Sequence, residues 1–530
     1  MIEMKYILLA TLLSIIISID SKAQDSIPWH HSSSTESNYR GISLQQGLDF
    51  MKEKGKVQKT VIVAIIDSGI DTLHEDLRSK LWHNPKEIPY NGKDDDGNGY
   101  IDDIYGWNFI GGSDGRNIDG ETLELIRFYK LYRDKFEDKE KKDIARENRN
   151  LFNKWVNAKA EIKKERSIYQ EQKDGYTEWG LTLEFCEAII KERLKIDTLT
   201  TEDVKMFVPK DEKEEQVKQL ILETYAEGIS LEYITTTLNY FNDNLNKKYS
   251  LTYDPRPEII GDNVNDINDT IYGNNDIQAE GYSHGTGVSG IVGAVRNNGI
   301  GTQGIIDSVQ LMILRVVPGG DERDKDVALA IRYAVRNGAT IINGSFGKSY
   351  SLNPEFVKEA IDYAISNNVL IIHAAGNDSE NNDKVTHFPS PRSDQRSQWI
   401  DVAASGKNNS SYQLAADFTN YGRRTVDIFA PGVDIYSTSP NNKYNASSGT
   451  SDAAPVVAGV AALIKAYYPK INAIELRNLL IESSIKHSKE RTYIPGDENK
   501  KVKFKKLSTS AGIINAFEAL KLAESLYGNK

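Results

Sequence analysis

The chain of 530 residues holds a single cysteine, Cys186. One thiol cannot close an intrachain disulfide, which excludes a disulfide-stapled scaffold and any zinc site built from several cysteines. A cationic excess is also missing: 65 Lys and Arg stand against 76 Asp and Glu, a net charge of −11. No basic patch marks a nucleic-acid partner, and the acidity reads as a soluble surface. Beyond the N-terminus no apolar run is long enough for a bilayer, so the mature chain is expected to carry no membrane span. What the composition supplies, 39% hydrophobic and 27% charged residues, suits a globular chain of two or three domains, or one large domain with an insertion.

The one apolar run near the start, Tyr6–Ile19, is short for a span and ends at Ser21-Lys22-Ala23. Small residues at these positions fit a cut before Gln24. Residues 1–23 therefore read as the signal peptide of a secreted or periplasmic protein, with an uncleaved anchor as the alternative. Residues 24–57 follow as an N-terminal segment.

Texture changes at about residue 121. Between Glu121 and Ser250, 51 of 130 residues are charged, with three glycines and one proline, Pro209. Few breakers and apolar residues at helical spacing, such as Leu125, Phe128, Tyr129 and Tyr132, predict a helical insertion over 121–250. On either side, near-continuous apolar strands alternate with helical patterns. Strands are expected at Thr60–Ile66, Gln310–Val317, Thr340–Phe346, Val369–Ala375, Trp399–Ala404 and Thr425–Ala430. Helices are expected at His284–Val295, Asp326–Asn337, Pro354–Asn367, Ser451–Tyr467, Asn472–Ser484 and Gly512–Leu526. This is the pattern of an α/β fold, a doubly wound, mostly parallel sheet covered on both faces, with segments 58–120 and 251–530 forming one domain interrupted by the insertion.

Three segments place a reactive side chain where a strand ends or a helix begins, the usual location of sites in open α/β sheets. Asp67 follows six apolar residues in Val61-Ile62-Val63-Ala64-Ile65-Ile66, so its carboxylate needs a donor; a turn or cap aspartate is the plainer alternative. His284 opens the glycine-rich stretch His284-Gly285-Thr286-Gly287-Val288-Ser289-Gly290, where a lone histidine is more often structural. Ser451, in Ser448-Gly449-Thr450-Ser451-Asp452-Ala453-Ala454-Pro455, enters an Ala/Val/Gly helix. Free N–H groups and the helix dipole there stabilise an oxyanion, although serine is also a common N-cap. Pro455 is expected near the helix start.

In the order Asp, His, Ser, these segments resemble the subtilases, the subtilisin-like serine proteases. Asn343-Gly344-Ser345-Phe346-Gly347, Ala374-Ala375-Gly376-Asn377, Ala430-Pro431-Gly432 and Gly512-Ile513-Ile514-Asn515-Ala516 fit the same family, over residues 58–120 and about 251–527. The resemblance implies a serine endopeptidase acting through an acyl-enzyme on proteins or peptides. Ser451 would be the nucleophile, His284 the base and then acid, Asp67 the residue that orients it, and Asn377 a side-chain oxyanion donor. Ser345, Phe346 and Gly347 would pair with an extended substrate backbone, with Ala375 and Gly376 in the pocket wall. The sequence departs from the family at Gly287, where His is common, at Asp452, where Met is common, and at Val456, where His is frequent. Only about 34 residues lie between the expected signal peptide and the first catalytic strand, fewer than the family's usual inhibitory pro-domain, so zymogen control of that kind is not expected. A binding protein on the same scaffold is the rival reading, and the complete residue set speaks against it.

Asp94-Asp95-Asp96-Gly97-Asn98-Gly99-Tyr100-Ile101-Asp102-Asp103 has oxygen ligands at alternating positions, as in a calcium loop, with a plain acidic turn as the alternative. Asp94, Asp96, Asn98, Asp102 and the Tyr100 carbonyl are the expected ligands. Tyr105 stands where an EF-hand has its bidentate Glu, and Asp103 could substitute. The family resemblance implies a second calcium site at Asp76 with Asn298. Gly261-Asp262-Asn263-Val264-Asn265-Asp266 reads as a solvated loop. The insertion leaves after Asp67 and returns before His284. It is therefore expected to flank the active site and restrict substrates, or else to be a decoration that points away.

Overall fold

The structure, a computed structural model, describes residues 28–33, 37–410 and 413–528; the expected signal peptide lies outside them. It divides into two compact units, residues 120–255 and the remainder of the described chain.

The larger unit is built on a nine-stranded sheet. In chain order its strands are β1 (Val61–Asp67), β2 (Gly106–Asn108), β3 (Val309–Arg315), β4 (Ile341–Gly344), β5 (Leu370–Ala374), β6 (Trp399–Ser405) and β7 (Ile428–Pro431). A hairpin of β8 (Ile435–Ser439) and β9 (Lys443–Ser447) stands apart, as does a second hairpin of β11 (Arg491–Ile494) and β12 (Asp497–Lys503). The remaining sheet strands are β10 (Ile485–Lys486) and β13 (Gly512–Ile513). Spatial order is β10-β13-β7-β6-β5-β4-β1-β3-β2, parallel throughout except for β10 against β13. β1 lies between β3 and β4, so the chain steps off it to opposite sides. That reversal of strand order opens a crevice at the carboxyl end of β1, where Asp67 stands.

Side-chain alternation explains why β1 is apolar without a break. Val61, Val63 and Ile65 face a core shared with helices Ser283–Gly293, Thr450–Tyr467, Ala473–Ser483 and Ala516–Tyr527. Ala64 and Ile66 face the opposite core, with helices Asp324–Arg336 and Pro354–Ser366. The helix Thr450–Tyr467 is buried on nearly every side, which its Ala/Val/Gly composition permits.

Most expected elements form within a few residues of their expected ends. The strand expected at Thr340–Phe346 spans Ile341–Gly344, and an isolated bridge follows at Lys348. Gly512 and Ile513 pair as β13 before the last helix begins at Ala516. Pro455 lies inside its helix rather than near its start. The stretch at 261–266 is only partly solvated: the Asp262 side chain is fully buried, bridging Arg256 at 2.6 Å and Lys325 at 2.9 Å.

The smaller unit is helical, with Glu124–Phe136, a 46-residue helix Arg149–Leu194, Thr201–Met206, Glu212–Ala226 and Leu231–Asp243. Leu183, Cys186, Ile190, Val204, Phe207, Val217, Ile221 and Ile234 form its core. Its ends meet where the Leu123 N–H donates to the Lys248 carbonyl at 2.9 Å. Among the described residues no helix is long and apolar enough to cross a membrane.

Tight helix packing yields a stability test. A β-carbon on Gly459 would sit 2.8 Å from Ile305 Cβ. Alanine gains roughly 1 kcal/mol of helix propensity, but forcing a methyl into a filled core costs roughly 1–3 kcal/mol. Gly459→Ala should lower Tm by a few degrees in calorimetry; an unchanged or raised Tm would show that Ile305 yields.

Candidate active site

Asp67 ends β1, fixed there by Val316 and Val317 N–H groups that donate to its carbonyl at 2.9 and 3.2 Å. Its carboxylate is 1% exposed. Oδ1 accepts from the Ser68 N–H at 2.7 Å and meets His284 Nδ1 at 2.7 Å, across 217 positions of sequence. A carboxylate can only accept, so Nδ1 carries a proton, and Nε2 holds the lone pair once the ring is neutral. Glycine makes the approach possible. A β-carbon on Gly285 would lie 2.1 Å from the Gly69 carbonyl, so a side chain there would push His284 away from Asp67. Desolvation of the half-exposed imidazole would lower its pKa. The charge and hydrogen bond of Asp67, with the charge of Asp452, outweigh that and push His284 up to about 9.

Ser451 is the second residue of the helix Thr450–Tyr467. The Asp452 and Ala453 N–H groups both donate to the Gly449 carbonyl at 3.2 Å, and the Thr450 N–H donates to Asn377 Oδ1 at 2.8 Å. The Ser451 N–H has no acceptor among the described residues and is available to a ligand. Pro455 carries no N–H, so it leaves the Ser451 carbonyl, four residues back, without its helical donor. Ser345 Oγ supplies one at 2.9 Å, tying the segment after β4 to the nucleophile turn.

Asn377 is exposed at the end of β5. Because the backbone N–H of Thr450 can only donate, the amide atom facing it must be Oδ1. Thr450 Oγ1 donates to the same oxygen at 3.0 Å and accepts from the Gly376 N–H at 3.1 Å. This grip leaves Nδ2 as a free donor beside the start of the helix. Thr450 therefore positions the amide; its part shows only once both segments meet. Gly376 adopts φ +107°, and a β-carbon there would lie 2.3 Å from Asn420 Nδ2, so no other residue fits the turn.

Ser345 is buried, Phe346 half-buried and Gly347 exposed, outside the strand ladder. Pairing resumes at Lys348, which exchanges backbone bonds with Phe388 at 2.8 and 2.9 Å. The Ala375 side chain belongs to a core cluster with Ala403 and Phe429, and its carbonyl accepts from Asn382 and Asn420. It supports the turn from behind.

In the acidic loop, Glu87, Asp94 and Asp96 bring carboxylate oxygens within 4.8 Å of one another, the one such group of three among the described residues. Glu87 Oε1 accepts from the Asp95 and Asp96 N–H groups at 3.0 and 3.2 Å, while the buried Oε2 has no hydrogen-bond partner among the described residues. Burial raises the Glu87 pKa, and its acidic neighbours add to this. A carboxylate with an unpartnered oxygen, grouped with two more carboxylates, suits a hard cation with oxygen ligands, and calcium fits. Glu87 lies outside the acidic run, and sequence spacing did not flag it.

The other expected ligands are placed differently. Asn98 Oδ1 accepts from the Tyr100 N–H at 2.7 Å, and the Tyr100 ring is buried beside Trp107 and Phe109. Asp102, at φ +52°, turns its carboxylate onto the Asn91 and Gly92 N–H groups, away from Glu87. Asp103 is buried, accepting from Tyr333, Asn84 and Asn98, and burial raises it to about 6. Asp76 Oδ1 accepts from Asn298 Nδ2 at 2.5 Å, an amide orientation opposite to the one a shared cation needs.

The comparisons agree with this architecture. Residues 58–513 match the model of the subtilase family, Peptidase_S8. Alkaline elastase YaB from Bacillus sp. (strain YaB) is 35% identical over 203 residues, covering 38% of this chain and 50% of that protein. Subtilisin DY from Bacillus licheniformis is 34% identical over 203 residues, 38% of this chain and 70% of its own length. Subtilisin-like protease 2 from Plasmodium falciparum is 32% identical over 276 residues, half of this chain and 19% of that protein. The chain thus spans between a fifth and about two thirds of these relatives. With the family match covering most of its length, from β1 to β13, the chain belongs to the subtilase family.

Proposed function

We propose that the protein is an exported serine endopeptidase that hydrolyses peptide bonds in proteins or peptides through an acyl-enzyme. The observation that carries this reading is the 2.7 Å contact between Asp67 Oδ1 and His284 Nδ1, which leaves Nε2 as a base in the unit that also presents Ser451 at a helix N-terminus. In the proposed reaction Nε2 takes the proton of Ser451 Oγ as that oxygen attacks the scissile carbonyl. Charge builds on the carbonyl oxygen, where the Ser451 N–H and Asn377 Nδ2 donate. His284 then gives the proton to the leaving amine, and water repeats the cycle on the ester. Ser345–Gly347 offers unpaired backbone on which a substrate strand can lie. Export rests on the pattern of residues 1–23.

Calcium completes the reading, held by Glu87, Asp94 and Asp96, with a structural role in the loop that leads into β2. The orphaned Glu87 Oε2 supports it.

Two measurements test these assignments. On a peptide substrate, Ser451→Ala should lose ~10⁶ in kcat, as the nucleophile does in the subtilisin series, while keeping the wild-type melt. Asn377→Ala should lose roughly 10²–10³. Near-full activity of purified Ser451→Ala would end the assignment. For calcium, a ligand at 100 times its Kd stabilises by ~2.7 kcal/mol, so Tm should fall on adding EGTA and recover with millimolar calcium. Glu87→Gln should abolish that response; melts indifferent to calcium would refute the site.

A further inference from the structure

Ser345, Phe346 and Gly347, on which a substrate strand is proposed to lie, take no part in the strand ladder. The β4–β5 pairing ends where Gly344 lies opposite His373, and strand-like backbone bonding returns at Lys348. The His373 side chain reaches across that gap. Its ring meets Phe346 edge to face, with centroids 6.0 Å apart and planes at 81°. A β-carbon on Gly344 would stand 3.6 Å from His373 Cδ2 and 3.3 Å from Phe346 Cε1. A β-carbon on Gly347 would stand 3.9 Å from His373 Nε2 and 4.0 Å from its Cε1. One imidazole therefore lies beside Gly344, Phe346 and Gly347 together. The Trp399 ring adjoins it from β6, with centroids 5.2 Å apart.

Hydrogen bonding fixes the orientation of this ring. His373 is buried, and its Nδ1 donates to Asp401 Oδ1 on β6 at 3.0 Å. The other carboxylate oxygen accepts from Arg396 at 3.3 Å, and the Asp401 N–H donates to Asp427 Oδ2 at 3.0 Å. Nε2 is left on the Gly347 side, buried and with no hydrogen-bond partner among the described residues. Burying a nitrogen in that state is costly, so packing alone does not account for a histidine here.

We infer that His373, oriented by Asp401, is a positioning residue that props the segment Ser345–Gly347 for a peptide substrate. The inference rests on the proposed peptidase reading and deepens it. Among the described residues no hydrogen bond or ion pair joins His373 to Asp67, His284 or Ser451. Its effect therefore falls on the binding of substrate residues that lie along the segment, and the acyl-transfer step is untouched. A substrate too short to reach the segment should not sense it.

His373→Asn is the informative variant. Its amide can stand where Nδ1 stands and still donate to Asp401, while the ring edge that meets Phe346 and Gly347 is gone. On a peptide long enough to lie along the segment, kcat/KM should fall roughly tenfold, the scale of one lost ring pair, and chiefly through KM. On a single-residue acetyl ester, kcat/KM should stay within about twofold of wild type. Equal losses on both substrates, or a lower Tm with no loss on either, would mark a merely structural histidine and overturn the inference. Should the asparagine variant fold poorly, His373→Gln fills more of the space, also lacks the ring and makes the same comparison. Anisotropy of a labelled peptide on the Ser451→Ala protein, with and without the His373 substitution, reads the same effect without turnover, as a roughly tenfold rise in Kd. An unchanged Kd, or no binding to either protein, overturns the inference. A wild-type chain that hydrolyses neither substrate overturns the peptidase reading instead, and the anisotropy still decides the role of His373.

Discussion

The 2.7 Å contact between the Asp67 carboxylate and the His284 ring joins positions 217 residues apart, and much of the larger unit serves to keep that distance. A carboxylate 1% exposed is costly unless donors reach it, and here Ser68 N–H and His284 Nδ1 share one oxygen. Keeping the donor in place requires the histidine helix to lie almost against the end of β1. The missing side chain at Gly285 allows it, and the Gly285 N–H also donates to Ser68 Oγ at 3.2 Å. On the other flank, Arg315 at the end of β3 donates to the Ser68 carbonyl at 3.0 Å. The turn after β1 is thus held from the neighbouring strand and from the helix at once.

A second arrangement follows from one proline. Pro455 removes a helical hydrogen bond, and the freed Ser451 carbonyl is met by Ser345. The nucleophile turn is thereby linked to the segment on which a substrate backbone would lie. Through Thr450 it is linked to Asn377 as well, so the segments after β4 and β5 converge on two residues, Thr450 and Ser451. In the proposed reaction this convergence fixes the Asn377 amide and the Ser451 turn before substrate arrives, which is how preorganised donors become effective.

Much of this was legible in the sequence because it is local. Six apolar residues before Asp67, glycines after His284 and a Gly-Thr turn before Ser451 each encode their own strand end or helix start, and their order pointed to the family. Relations between segments were hidden. Thr450 gains its role from Asn377, 73 positions away. Glu87 precedes the acidic run, and only the fold shows that one of its oxygens takes two backbone N–H groups while the other is buried without a donor among the described residues. Spacing marked Asp102 as a ligand, but a left-handed backbone turned it toward Asn91 and Gly92. The hairpins at 435–447 and 491–503 were missed because their burial is irregular and polar residues dominate the second. Asp452 was visible as a departure from the family, but its hydroxyl partner, Ser447, required the fold.

The central claim is that Ser451 is a hydroxyl activated by His284. It is tested most directly by reacting the folded protein with a fluorophosphonate and locating the adduct by mass spectrometry. The account predicts one adduct per chain, on Ser451, and slow or absent labelling when His284 is replaced by alanine. Labelling elsewhere in the wild type, or undiminished labelling of Ser451 without His284, would contradict it.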